Sequence, residues 1–408
     1  MKEISFIHAA DLHLDSPLIG LQHLPPKIFQ RLKESTFIAL RKVIDAAIHY
    51  QVDFVILAGD LFDEEDRSVR AQTRLRKELN RLCAHHISVF VIHGNHDHLA
   101  GVFSNLKMPD HVKTFGAQVE VVNHLTKGGA SVNLYGFSYP KRHVLERKVL
   151  DYQKQGQADF HIGILHGNLE GSSEHGNYAP FQLKELLDRE MDYWALGHIH
   201  KRTIAQENPP IVYPGNIQGR NRKEVGMKGC YLVNLTELGS KLHFVETSDI
   251  VWLDLKIDGR DMLDFHSVFQ GCRKALDSVR QNHIGQLVQL TIQNTALFES
   301  QLDPNLQQDL LEALQEEESE ESSFVWPISI QIEEEIQWDR NSLSLSADFF
   351  EELFAVIDGY QDQDHEQSLA PLFDHPVARR YLESLSEDEK RKLLQETENM
   401  LVQELLSL

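Results

Sequence analysis

The sequence predicts an α/β fold whose chemistry is gathered at strand ends, and three observations predict it. Short apolar runs such as Val55-Ile-Leu-Ala58 and Ile87-Ser-Val-Phe-Val-Ile92 have the length and composition of buried strands. Between such runs lie segments with helical apolar spacing, as in residues 26–50, where Phe29, Leu32, Phe37, Leu40, Val43, Ile44 and Ala47 share a face. Five of the strand-like runs lead directly into Asp, Asn or His, at the place where α/β architectures carry their ligand sites.

Taken in order, Lys2–His8 is the first strand and runs into Ala9-Ala-Asp11-Leu-His13. In extended backbone Asp11 and His13 point to one face, a carboxylate and an imidazole suited to a transition metal. Read alone, Asp-x-His is an ordinary polar strand end. Pro26 suits the first turn of the helix over 26–50. The second strand ends in Gly59, which permits a sharp turn, and then Asp60. Arg67–Ala84 is a second helix with Leu75, Leu79 and Leu82 on one face. Its Arg70, Arg74, Arg76, Lys77 and Arg81 form either a solvated surface or a contact for phosphates. The third strand ends in His93-Gly-Asn95-His96-Asp97-His98, three imidazoles, an amide and a carboxylate within six residues. Asn95 offers a metal its amide oxygen. Two short strands (119–122, 132–137), a helix (145–155) and a fourth strand (160–165) lead to His166-Gly167-Asn168. A helix (181–190) and a fifth strand (191–196) lead to Gly197-His198-Ile-His200, which repeats the same-face spacing. Val212–Asn216 is a further strand and turn, Gln218–Lys228 a basic loop carrying Arg220, Arg222, Lys223 and Lys228, and Gly229–Leu235 with Lys241–Glu246 a closing hairpin. Each polar strand end has an ordinary structural explanation; five together, all bearing potential ligands, point to one metal site.

Residues 1–250 thus form a first domain. Strands at 251–257, 285–293 and within 324–337, with helices at 261–282 and 303–315, make a small two-layer α/β domain over 251–340. Residues 341–408 are helical, with an apolar face along Asp348–Ile357 and amphipathic segments from Val377 onward. The net charge of −22 is localised: residues 1–250 hold 29 Lys+Arg and 29 Asp+Glu, whereas residues 301–408 hold 6 against 27. Of the 22 histidines, 17 lie in residues 1–200. The ligand-rich part is neutral, and the acidic end has a different task. No run reaches the ~18 apolar residues of a membrane span, and the chain opens directly on a strand, so neither a membrane anchor nor a leader is expected. Cys83, Cys230 and Cys272 are scattered and odd in number, which fits a reducing cytoplasm and buried thiols better than disulfides.

The ordered set Asp11-x-His13, Gly59-Asp60-x-x-Asp63, Gly94-Asn95-His96-Asp97, His166-Gly167 and Gly197-His198-x-His200 resembles the metallophosphoesterase signature, over roughly residues 1–240. Within that superfamily the Ala10-Asp-Leu-His-Leu-Asp-Ser-Pro17 opening and Ala58-Gly-Asp-Leu-Phe-Asp63 resemble SbcD-like DNA-repair nuclease subunits, most of all the YhaO group. The resemblance implies a β-sandwich flanked by helices, followed by a capping domain that positions DNA and a helical tail. It implies two divalent cations, the first held by Asp11, His13, Asp60 and His200, the second by Asp60, Asn95, His166 and His198. The mixed nitrogen and oxygen shell suits Mn²⁺, with Fe²⁺, Zn²⁺ or Mg²⁺ as alternatives. Paired cations clamp a phosphodiester and activate water. His96 would contact the scissile phosphate and assist the leaving oxygen, with Asp97 orienting it. Asp63 stands where some relatives carry His, and its part is supporting. The implied function is a DNA exonuclease/endonuclease in double-strand-break repair, homodimeric, nucleoid-associated, and docked through its C-terminal helices on an SbcC-like coiled-coil ATPase. A small-substrate phosphodiesterase or phosphatase on the same metal core is the alternative.

Overall fold

The computed structural model describes residues 2–16, 18, 20–63, 68–100, 107–170, 178–262, 264–293, 304–333, 339–346, 348–373 and 385–406. It divides into two compact units, residues 1–171 with 177–332, and residues 172–176 with 333–408.

The first unit begins with β1 (Glu3–Ala9), α1 (Pro26–His49), β2 (Phe54–Ala58), α2 (Val69–Ala84), β3 (Ser88–Ile92) and β4 (Val112–Thr114). It continues through β5 (Glu120–Leu125), β6 (Ser131–Gly136), β7 (Phe160–His166), α3 (Leu183–Leu187), β8 (Tyr193–Gly197), β9 (Thr203–Glu207), β10 (Pro210–Tyr213), β11 (Gly229–Thr236) and β12 (Gly239–Glu246). These strands form two six-stranded sheets, in the orders β12-β11-β1-β2-β3-β4 and β5-β6-β7-β8-β10-β9. The pairs β1–β2, β2–β3 and β7–β8 are parallel, so their carboxyl ends share an edge.

Strand alternation explains the layers. Ile4, Phe6, Phe54, Ile56, Phe90 and Ile92 face the second sheet and meet Val132, Leu134, Ile162, Ile164 and Tyr193 in one core. Their neighbours Ile7, Val55, Leu57, Val89 and Val91 face the opposite way, onto Leu40, Val43, Ile44, Leu75, Leu79 and Leu82 of α1 and α2. Both faces being buried, these strands read as continuous apolar runs. α2 starts at Val69 because the Ser68 hydroxyl accepts the Ala71 N–H at 2.9 Å. The basic residues of α2 are largely spent on neighbours: Arg74 meets Glu34 at 2.6 Å, Arg70 also meets Glu34, and Arg81 meets Asp45 at 2.5 Å. These three tie α2 to α1.

Three elements differ from expectation. Residues 145–155 form only a 3₁₀ turn at Lys148–Asp151. The turn is anchored by the buried Val149 and by Tyr152, whose hydroxyl donates to Ile164 O at 2.6 Å. The short β4 and the polar, largely exposed β9 carried no apolar signal. Cys83 is exposed, whereas Cys230 and Cys272 are buried; all three are free thiols. Cys83 belongs to the solvent side of α2, beyond the face marked by Leu75, Leu79 and Leu82.

The same unit ends in β13 (Ile250–Asp258), α4 (Phe265–Val279), β14 (Gly285–Gln293), α5 (Pro304–Glu316) and β15 (Val325–Glu333). β13 and β14 run parallel in a three-stranded sheet, with α4 and α5 packed on one face. Its other face sets Ile250, Trp252, Leu287 and Phe324 against Leu24, Ile28 and Leu32 at the start of α1. Asp303, where the sequence starts this helix, lies outside the described residues.

The second unit contains α6 (Arg340–Ser346), α7 (Asp348–Asp358), α8 (Asp362–Phe373) and α9 (Glu387–Leu406). Phe354 and Ile357 of α7 bury against Val402 of α9, and Arg340 bonds the Glu398 carboxylate through Nε at 2.6 Å and Nη2 at 2.8 Å. Expected helical residues Tyr381 and Leu382 lie outside the described residues. Among the described residues no helix is long and apolar enough to cross a membrane.

Candidate metal centre

Past the last residues of β1 and β2 the two chains stay aligned: Asp11 N–H donates to Gly59 O at 3.1 Å and His13 N–H to Asp60 O at 3.0 Å. The second sheet is tied to this edge by the His166 ring, whose Nδ1 lies 3.0 Å from Ala58 O, and by His198 N–H, which donates to the Asp11 carboxylate at 3.0 Å. Asp11, His13, Asp60 and His198 take φ of 51°, 42°, 49° and 99°. The left-handed region costs a non-glycine residue about 1 kcal/mol or more, and here the surrounding hydrogen bonds impose it. This corrects the extended-backbone expectation: β1 stops at Ala9 and β8 at Gly197, and the ligands project from tight turns beyond them.

Three groups of ligand-type side chains result: His13, Asp63 and His96 form one, and the other two hold the expected metal ligands. Asp11, His13 and His200 bring ligand-type atoms within 4.8 Å of one another, and Asp60, His166 and His198 do the same. Asn95 Oδ1 joins the second cluster at 3.1 Å from both His166 Nε2 and His198 Nδ1. Asp60 Oδ2 lies between the clusters, 3.2 Å from His166 Nε2 and 3.8 Å from His13 Nε2. Although next but one in sequence, His198 and His200 serve different clusters.

The donor chemistry fits cations. Ala58 O only accepts, so His166 Nδ1 carries a proton, and Nε2 is the atom turned inward toward Asp60 and Asn95. His13 Nδ1 faces Asp63 Oδ1 at 2.6 Å and His200 Nδ1 faces Glu224 Oε1 at 2.8 Å, which leaves their Nε2 atoms as facing lone pairs 3.1 Å apart. Such an arrangement is repulsive without a positive charge between them. Second partners of this kind orient metal-binding imidazoles. Burial opposes charge on Asp60, yet His166, His96 and His13 hold its carboxyl well below the usual range. Burial likewise opposes charge on His166, but Asp60 and then Asp11 raise its pKa to about 9. Asp63, against burial, is kept ionised by His13 and Arg220, and Glu224 by His200 and Arg220. The centre is built to stabilise positive charge.

A family model for calcineurin-like phosphoesterases matches residues 4–202, the span that carries every one of these ligands. The metallophosphoesterase YhaO of Bacillus subtilis strain 168 is 41% identical over 410 residues, covering 99% of this chain and 98% of that protein. This chain belongs to the calcineurin-like metallophosphoesterases. More distant relatives include two proteins described as DNA double-strand break repair protein Mre11. That of Thermoplasma acidophilum is 26% identical over 247 residues, 56% of this chain and 62% of its own length. That of Methanocaldococcus jannaschii is 26% identical over 261 residues, 60% of this chain and 66% of its own length.

In this metallophosphoesterase all nine expected site residues gather in one region. His96 sits at the rim, its side chain 35% exposed, with its N–H on Asp60 Oδ1 at 2.9 Å and its ring centroid 5.1 Å from that of His13. Asp97 is buried and accepts from Leu61 N–H (3.0 Å), Gly94 N–H (2.7 Å) and the His93 ring (2.8 Å). The carboxylate placed at His96 Nδ1, 3.4 Å away, is Asp63, where the expectation had Asp97. Sequence reasoning missed Glu224 and the inward role of Arg220. The loop was noticed for its cations, and its one carboxylate was the available signal. It also missed Tyr139 and Tyr213, whose hydroxyls donate to His166 O at 2.9 Å and Gly167 O at 2.8 Å and fix that turn from behind.

Proposed function

We propose that this metallophosphoesterase is a metal-dependent DNA nuclease that hydrolyses phosphodiesters in double-strand-break repair. The observation that carries the chemistry is the pair of ligand clusters meeting at Asp60 Oδ2. The likeness of the front of the chain to the two Mre11 proteins supports the substrate class. Asp11, His13, Asp60 and His200 would hold one divalent cation, and Asp60, Asn95, His166 and His198 the other. When bound, such cations neutralise a phosphodiester and lower the pKa of water. His96, its side chain 35% exposed beside Asp60, would meet a phosphate oxygen and deliver a proton to the leaving oxygen. Asp63 orients its ring.

A second reading, a small-substrate phosphodiesterase, is favoured by one observation: three of the five basic residues of α2 are paired with carboxylates. Protein purified and loaded with Mn²⁺ separates the two. Cleavage of linear duplex or single-stranded DNA supports the nuclease. Turnover of cyclic nucleotides or phosphopeptides, with DNA left intact both alone and with a coiled-coil ATPase partner, overturns it.

A further inference from the structure

Residues 216–226, between β10 and β11, form a loop shaped from two sides. From within, Asn216 Nδ2 donates to Gln218 O at 2.7 Å and Glu224 Oε2 at 2.8 Å, and Arg220 N–H donates to the same Glu224 oxygen at 2.7 Å. From without, the Gln218 amide spans Ile250 O (2.6 Å) and Asp249 N–H (2.8 Å), and the Trp252 indole donates to Gly219 O at 3.1 Å. This bracing fixes the Arg220 guanidinium, only 15% exposed, between two carboxylates: Nη1 lies 3.3 Å from Asp63 Oδ2 and Nη2 3.3 Å from Glu224 Oε1. Those are the carboxylates that receive the Nδ1 protons of His13 and His200. Nη2 also approaches His200 Nδ1 at 3.3 Å, but that nitrogen is 2.8 Å from Glu224, the shorter and better-matched partner. One cation thus balances both carboxylates behind one half of the centre. The other half is set differently: His166 is oriented by a backbone carbonyl, Ala58 O, and Asn95 bridges His166 and His198.

We infer that Arg220 is a positioning residue for the His13/His200 half of the centre: by clamping Asp63 and Glu224 it fixes the imidazoles whose Nε2 atoms converge, while the Asp60/Asn95/His166/His198 half does not depend on it. The inference rests on the metal reading above. Losing a partner of this kind costs a metal site about 10- to 100-fold in affinity. A lysine supplies charge without the planar fork that spans two carboxylates.

The test is a Mn²⁺ titration of full-length, metal-stripped protein, followed by calorimetry and by the electron paramagnetic resonance of the bound ions. Wild type takes up two ions with a spin-coupled signal. Arg220→Gln weakens one ion about 10- to 100-fold, keeps the other, and shows the uncoupled spectrum of a single ion; Arg220→Lys recovers part of the lost affinity. Glu224→Gln, which keeps the shape of the loop, reproduces the one-site loss and decides the matter should Arg220→Gln fail to fold. Two ions bound as in wild type, or equal loss of both in a protein with wild-type circular dichroism, overturns the role of Arg220 and leaves the metal centre standing. Wild type that takes up no Mn²⁺ overturns the metal reading, and this inference with it.

Discussion

Asp60 is the carboxylate on which both clusters converge, so its removal is expected to act on both at once. Asp60→Ala should abolish Mn²⁺ uptake at either site, measured by metal content after gel filtration. His96 sits at the rim, its N–H on Asp60 Oδ1 and its ring beside Asp63. His96→Asn should keep both ions and lower turnover about 10²–10⁴-fold, the range of a lost general acid. Loss of metal in that variant would place His96 among the ligands instead. A different histidine contributes a pH dependence of its own. His8 is fully buried, with Nε2 3.2 Å from Leu196 O and Nδ1 3.0 Å from the Tyr193 hydroxyl, a set the neutral ring satisfies by donating to the carbonyl and accepting from the hydroxyl. Burial lowers its pKa to about 3, only partly opposed by the Leu196 carbonyl. The unfolded chain therefore binds a proton between pH 6.5 and 3 that the folded chain refuses, and stability falls as pH falls through that window. From pH 7.5 to 5 this one group costs about 2 kcal/mol. The urea midpoint of metal-free wild type should fall over that interval by correspondingly more than that of His8→Gln. Parallel midpoints would show that His8 is not the group responsible.

At the scale of elements, the turns after the strands do the assembling, and one glycine shows how tightly. A Cβ on Gly94 would run into Asp60 Oδ1 and the His166 ring, so the β3 turn approaches the ligands as closely as backbone permits. Gly94→Ala should leave the sheets intact, by circular dichroism, and cut Mn²⁺ affinity at least 10-fold, because Asp60 and His166 must move apart. Unchanged affinity would mean that the turn yields instead. These turns also mark what was legible in the sequence. The strands before them were, because Phe54, Ile56 and Ala58 face one core and Val55 and Leu57 another, so burial on both faces writes an unbroken apolar run. The candidate ligands were legible because Asp, Asn or His follows five such runs, and five polar strand ends of that kind are a poor coincidence. The orientation of the ligands was not: spacing predicted an extended Asp11-x-His13 pair, whereas contacts distant in sequence hold both residues at positive φ. The support from Arg220 and Glu224 was illegible for the same reason. It lies more than 150 residues from Asp63 and is brought there by sheet order, which no local pattern encodes.

Across the whole molecule, the three-stranded module is fastened to the catalytic sandwich at Arg31. That side chain leaves α1 to bond Asp249 through Nε (2.9 Å) and Nη2 (3.0 Å), and to reach His283 O (2.8 Å) and Ser322 O (2.5 Å). Arg31→Ala should cost about 2 kcal/mol, a buried-pair loss reduced for partial exposure, and calorimetry should show the sandwich and the module melting separately. The second unit presents the opposite case. It has its own small core around Phe354, Ile357 and Val402, and residues 333–408 carry 6 Lys+Arg against 19 Asp+Glu. A surface of that sign repels a phosphate backbone, so we propose that the unit serves a protein partner, a coiled-coil ATPase, and that DNA meets the first unit. Ending the chain after Glu333 removes all but one of these carboxylates and leaves β15 whole. The truncated protein should bind two Mn²⁺ ions, and its affinity for duplex DNA should hold or rise. Its salt dependence should be unchanged, since that slope counts the phosphates neutralised by cations and those cations remain. Co-purification with the ATPase should be lost. A truncated protein that keeps the ATPase but loses DNA would reverse the assignment and make the acidic helices part of the DNA path.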